Sequence, residues 1–245
     1  MRAGRWRRGM ERRDSAESRH SFAGSTLMDV VAQILKHRSL NGWALFLLIV
    51  LPLSATVLFK ASGLDLSDPR NISALLQLSV RLAVPWLYLA FAASALAAVY
   101  PGVFSRWLLR NRRIIGLCFA AGMAWQLLFI CWMVFGHWTY YLAEAYSVYD
   151  LAEQLPGYVV LFAMTATSFA PVRKKLTPTQ WRVLHKGGIY FLWAVVWSTY
   201  WFALFYYTEA QIIDHVFYWA GFGAWGLRVM AWARKRRVVA APRHL

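Results

Sequence analysis

Residues 74–102 read ALLQLSVRLAVPWLYLAFAASALAAVYPG, a long apolar run with a single charge, Arg81, closed by the turn signal Pro101-Gly102. About 20 mostly apolar residues suffice to cross a ~30 Å hydrocarbon core as helix, and a helix satisfies its own backbone polar groups there. The stretch therefore predicts a transmembrane helix. Pro85 inside it would argue for a break in water, whereas in lipid neighbouring helices and hydroxyl side chains absorb the freed carbonyl. Working outward, five further blocks of the same kind lie at 43–61, 114–137, 156–172, 185–207 and 215–233, each bounded by charges, Pro or Gly. Pro52 sits inside the first as Pro85 does inside the second. The expected fold is all-α, a polytopic membrane helical bundle of six transmembrane helices. The composition agrees: 59% of the 245 residues are hydrophobic and only 16% are charged, too apolar a mix for an ordinary soluble domain.

Charge supplies the orientation, because Lys and Arg resist translocation and stay on the cytoplasmic side of short loops. Of the 27 basic residues, nine lie in 1–42, four in 101–113, four in 173–184 and five in 234–245. The alternate segments 62–73, 138–155 and 208–214 hold one, Arg70, beside Asp65, Asp68, Glu144, Asp150, Glu153, Glu209 and Asp214. Both termini are expected in the cytoplasm, with a basic segment 1–42 before the six-helix domain 43–233 and a basic tail 234–245 after it. A net charge of +16 spread over every such segment does not make a nucleic-acid surface, which gathers its charge on one domain. Residues 1–27 are rich in Arg and Ser and read as partly disordered, with Met1, Met10 and Met28 all possible starts, and the first apolar block is too long for a cleaved signal peptide. The longest ordered loop, 138–155, is aromatic and mildly amphipathic, as an interfacial helix on the outer leaflet would be. No internal repeat and no GxGxxG, Walker A, HExxH or GxSxG motif is found, so inverted-repeat transport, phosphoryl transfer, zinc proteolysis and elbow-serine hydrolysis lack support.

Ionisable groups at membrane depth are costly unless they reach water or a partner. Lys60, Lys186 and Arg228 lie near span ends and read as snorkelling anchors. Arg81, two turns inside the second span, is either another anchor, a partner for a carboxylate such as Asp214, or a contact for a haem propionate or an anionic quinol. Three histidines reach the membrane boundary, His185 at the basic side and His137 and His215 at the other. A neutral imidazole ligates haem iron, and a histidine at a span end also serves as an ordinary interfacial residue. Cys118 and Cys131 are separated by about 19 Å of helical rise, so they cannot bridge and read as small buried apolar residues. Trp193, Trp197, Tyr200, Trp201 and Phe205 form a stripe suited to a flat cofactor or to packing between helices or against lipid.

Arg112-Arg113-Ile114-Ile115-Gly116-Leu117 at the third span and Trp181-Arg182-Val183-Leu184-His185-Lys186 at the fifth occur in order and at suitable spacing. Over roughly residues 74–207 the chain resembles the ferric-reductase-like transmembrane family, nearest to the haem-binding membrane subunit of the bacterial methionine-sulfoxide reductase system. The resemblance implies a six-span b-type haem protein in a bacterial inner membrane. It would be an oxidoreductase component passing electrons from a cytoplasmic flavin reductase or quinol to an outer-side acceptor. It also implies haem ligands at His185 and at two positions that here are Gln126 and Ser198. Only His185 survives of that set. His137, three turns beyond Gln126, paired with His215 across the outer ends, would make a relocated site. The alternative is a haem-free descendant acting as a membrane scaffold or partner subunit. A small transporter or channel is disfavoured, since no span centre carries a charge.

Overall fold

The computed structural model describes residues 29–145, 148–206 and 210–240, with no side-chain detail for 144–145, 148–153 and 238–240. The expected starts at Met1, Met10 and Met28, the basic run before residue 29 and the end of the tail fall outside the described residues. Among those described there is no strand, and six long helices carry the fold. These are α1 (Gly42–Ser62), α2 (Pro69–Val99), α3 (Val103–Gly136), α4 (Val148–Ala166), α5 (Pro178–Phe205) and α6 (Ile212–Ala240). The four helices α1, α2, α3 and α5 are long and apolar enough to cross a membrane. The apolar part of α4, Gln154–Ala166, is shorter: 13 residues rise about 20 Å, less than a ~30 Å core.

Local sequence explains where the helices begin. Asp68 caps α2 by accepting from the Arg70 N–H at 2.9 Å, with Pro69 preset in the first turn. Thr177 and Gln180 form a reciprocal capping box ahead of α5, again followed by a proline at the first position. In the α1–α2 connection, the Asp65 carboxylate accepts from the Ser67 N–H (2.9 Å) and hydroxyl (2.8 Å), which hold its pKa below the usual carboxylate range. Helices α1 and α2 run through Pro52 and Pro85 without interruption.

Several boundaries differ from the sequence reading. The basic stretch expected as loop 101–113 is mostly helix, because α3 starts at Val103 and α2 ends at Val99. Likewise α5 begins seven residues before the expected span, so Trp181 and Arg182 are helical. A membrane helix does not stop at the edge of the hydrocarbon, and hydropathy reports the edge alone. The interfacial helix expected over 138–155 is not a separate element. A short turn, Trp138–Tyr140, passes into a π-turn, Tyr141–Ala145, and residues from Val148 on belong to α4. Tyr141 is buried in the core among Val57, Ile72 and Met133, where its ring is worth more than at an interface.

Contacts between helices set an alternating order: α2 runs antiparallel to α3 and α5 to α6, while α1 is parallel to α3 and α2 to α6. Near one end the Gly42 N–H donates to Asn111 Oδ1 (3.1 Å), joining α1 to α3, and Arg234 donates to the Val99 carbonyl (2.7 Å), joining α6 to α2. Trp125 donates to Ser54 Oγ (3.0 Å) and Tyr158 to Gln126 Oε1 (2.7 Å) further along. Helix α2 is central, packing against α1, α3, α5 and α6, while α3 also meets α1 and α4. Close approach of α2 and α3 requires Gly122: a Cβ there would stand 2.6 Å from Ala83 Cβ. The bundle thus has a basic end, holding the α2–α3 and α4–α5 connections, and an acidic end holding Asp65, Asp68 and Asp214.

Residues 29–36 form a further helix of about two turns before α1. Its exit is pinned to α3 by Trp107 donating to the Leu40 carbonyl (2.8 Å) and by Arg110 and Asn111 donating to Asn41 Oδ1 (2.9 and 3.0 Å). Gly42 enters α1 with φ +62°, a conformation that disfavours a side chain.

Candidate functional site

Four helix faces converge at the basic end. On α3, Arg112, Gly116 and Phe119 recur at helical spacing; on α5, Trp181, His185, Ile189 and Leu192 do the same. Leu87, Ala90 and Ser94 on α2, Leu161 and Thr165 on α4, and Ser168 just after it complete the wall. Between them lies a cavity of about 410 Å³, within the usual range for small-molecule sites. Arg112, Arg113, Arg173, Arg182, Lys186 and Arg228 line it, and no carboxylate is among its described lining residues. The charges sit toward the basic end and the aliphatic residues deeper: from Arg182 to Leu192 the α5 axis rises about 15 Å.

One of these cations, on α6, is held in an unusual way. Arg228 donates through Nε to the Phe91 carbonyl at 2.9 Å, and its guanidinium lies 4.1 Å from the centroid of Phe91 and 4.5 Å from that of Tyr190. Its Nη2 is buried without a hydrogen-bond partner. Arg228 is therefore not the snorkelling anchor its position suggested. Helix α6 continues to Ala240, so the residue is three turns from the helix end, on the same face as Phe217, Gly221 and Ala224. Arg112 is placed similarly, its Nε donating to the Ala90 carbonyl at 3.0 Å. Trp181 carries His185 stacked at 4.5 Å and the Arg173 guanidinium at 4.8 Å, and its own Nε1 is buried without a partner.

His185 thus stands in the cavity, and its chemistry is fixed by Thr167. The Thr167 hydroxyl donates to the Ala163 carbonyl at 2.7 Å, and His185 Nε2 lies 2.9 Å from the same oxygen. With the hydroxyl proton committed, Nε2 is assigned the hydrogen and donates it. In this tautomer the ring's free lone pair is on Nδ1, and no second imidazole is among the described lining residues. The positions expected to carry the other ligands are occupied locally. Gln126 accepts from Tyr158, and the Ser198 hydroxyl donates to the Val195 carbonyl at 2.8 Å. The donor set does not fit a b-type haem held between two axial imidazoles.

The other residues singled out from the sequence lie elsewhere. His137 ends α3, half-buried, its N–H bonded to the Met133 carbonyl at 2.8 Å. His215 is exposed in the first turn of α6. The helices bearing them are not principal packing partners: α3 meets α1, α2 and α4, and α6 meets α2 and α5. Arg81 does not line the cavity and instead pairs with Asp214 at 3.6 Å toward the acidic end. The aromatic stripe of α5 is spent on packing. Phe91, Trp193, Trp197 and Tyr218 stack in sequence, and the Trp193 and Trp197 indoles donate to the Gly221 and Tyr218 carbonyls of α6. Cys118 is buried as expected, but Cys131 is exposed on the outside of α3. Among the described residues, no group of three or more His, Cys, Asp or Glu side chains is placed to hold a metal ion.

Arg228, Trp181 and Arg173 are the site residues that sequence reasoning missed. The one signal for Arg228 was its spacing from Phe217, Gly221 and Ala224, which puts it on the packed face of α6. Compared with protein-family models, curated proteins and solved structures, the chain matches none of them.

Proposed function

We propose that this chain is a haem-free polytopic membrane protein, built on a bundle like that of the ferric-reductase-like family, and that it works as a membrane-embedded binding or partner subunit through its basic-end cavity. Six crossings, with both termini and the cavity mouth on the cytoplasmic side of a bacterial inner membrane, are part of this reading. Support for the crossings comes from four helices of sufficient length and apolarity, from the antiparallel packing of α2 on α3 and of α5 on α6, and from segregation of basic and acidic residues to opposite ends. The observation that carries the haem-free reading is that Gln126 and Ser198, at the positions where the resemblance implies imidazoles, are bonded to Tyr158 and to the Val195 carbonyl instead.

A second reading, electron transfer through a haem on His185, has one observation in its favour: the imidazole shares its cavity with arginines suited to an anionic edge. It requires Nδ1 to ligate, or Nε2 to leave Thr167. A reduced-minus-oxidised absorption spectrum of the purified full chain decides between them. The haem-free reading expects no α-band of b-type cytochrome. A stoichiometric band that disappears in His185→Ala would overturn it.

A further inference from the structure

Resting on the reading of the cavity as the working site, we infer that its ligand is a single anionic amphiphile, with a phosphate-type head among the arginines and an apolar chain running inward along α4 and α5. Six cations converge with no carboxylate among the described lining residues, so each is repelled by its neighbours until an anion enters. Five of the six are arginines, whose planar fork matches phosphate oxygens in pairs. Two residues of the cavity wall, Arg228 and Trp181, each hold a buried donor without a partner, Nη2 and Nε1, and a buried donor without an acceptor is costly. Both atoms are closed off in the structure as it stands, so an anion in the cavity reaches them by turning the two side chains toward it.

A free phosphate would satisfy the head and leave the deeper half unfilled. Leu87, Leu117, Phe119, Leu161, Ile189 and Leu192 line that half, and an apolar void loses the contacts that a chain would make. Gly116 opens the wall between the two halves: a Cβ built there meets nothing within 4 Å. The cavity therefore offers a charged mouth, a gap, and an apolar inner wall in the order an amphiphile presents its own parts.

The test is native mass spectrometry of the detergent-purified full chain titrated with lysophosphatidic acid, with lysophosphatidylcholine and with inorganic phosphate. One saturable lysophosphatidic acid adduct is expected, at least tenfold preferred over lysophosphatidylcholine, and not displaced by an equal concentration of phosphate. Arg228→Gln is expected to weaken it at least tenfold. Gly116→Phe, which keeps every charge and fills the gap, is expected to do the same, while Arg106→Gln, exposed and outside the cavity, leaves it unchanged. Equal binding of the two lipids, displacement by equimolar phosphate, or an adduct unaltered in both cavity variants would overturn the inference. Absorbance of the same sample separates the two readings. No haem band with no adduct overturns the ligand alone, whereas a haem band beside a normal adduct overturns the haem-free reading alone.

Discussion

Arg81 and Asp214 provide a quantitative check on the packing of α2 against α6. Arg81 Nη2 and Asp214 Oδ1 are 3.6 Å apart, with side chains 29% and 11% exposed. At an effective dielectric near 20 the gross attraction is about 4.6 kcal/mol, much of it offset by desolvation and by the access of Arg81 to solvent or headgroups. The two single substitutions are therefore unequal. Arg81→Gln leaves a buried carboxylate whose remaining hydrogen bond among the described residues is from the Gln211 N–H at 3.0 Å, and should cost about 3 kcal/mol. Asp214→Asn keeps an acceptor for that N–H and frees an arginine that is a quarter exposed and long enough to snorkel, costing about 1–2 kcal/mol. The double variant should be more stable than the sum of the singles predicts, with a coupling of about 1–2 kcal/mol. SDS-titrated unfolding of the purified protein, followed by circular dichroism, measures all four corners of the cycle. Asp214→Asn as damaging as Arg81→Gln, or a coupling indistinguishable from zero, would refute the placement of this pair.

Three further outcomes follow from particular contacts, each read by the same unfolding assay. Asn111→Ala removes the acceptor for Gly42 N–H and a donor to Asn41, and should cost about 1–3 kcal/mol; a neutral result would mean the pre-α1 segment is not docked on α3. Gly122→Ala should cost about 1–3 kcal/mol by forcing α2 from α3, and adding Ala83→Gly should recover most of it, because the new methyl meets that side chain. Tyr88→Phe and Tyr200→Phe each delete a buried hydroxyl that has no partner, so each should be neutral or slightly stabilising; a loss above about 1 kcal/mol would show that the hydroxyl is bonded after all.

Much of this architecture is legible from hydropathy and charge. Apolar blocks locate the helices, and the alternation of basic and acidic connections separates the two ends before any coordinate is seen. From sequence alone Arg81 admits several partners, and the structure pairs it with Asp214. What the sequence hides is orientation around each helix axis. Arg228 looks like a near-terminal anchor until the length of α6 shows it inside the bundle, and Tyr141 looks interfacial until the turn after α3 carries it into the core. The aromatic stripe of α5 has the same spacing whether it faces a cofactor or a neighbouring helix, and only the stacking onto α6 decides. Hydropathy also ends each helix too early where basic residues continue it, which is why α3 and α5 start well outside their apolar blocks.

The claim beneath all of these is the direction in which each helix crosses, and α4 and α6 are where it is most exposed to test. Single cysteines introduced at Thr139, Ser168, Gln211 and Arg237 in a chain cleared of Cys118 and Cys131, probed with a membrane-impermeant maleimide in right-side-out and inverted vesicles, read that direction. The account predicts labelling of 168 and 237 from the cytoplasmic face and of 139 and 211 from the opposite face. Positions 139 and 168, or 211 and 237, reacting from one and the same side would contradict it.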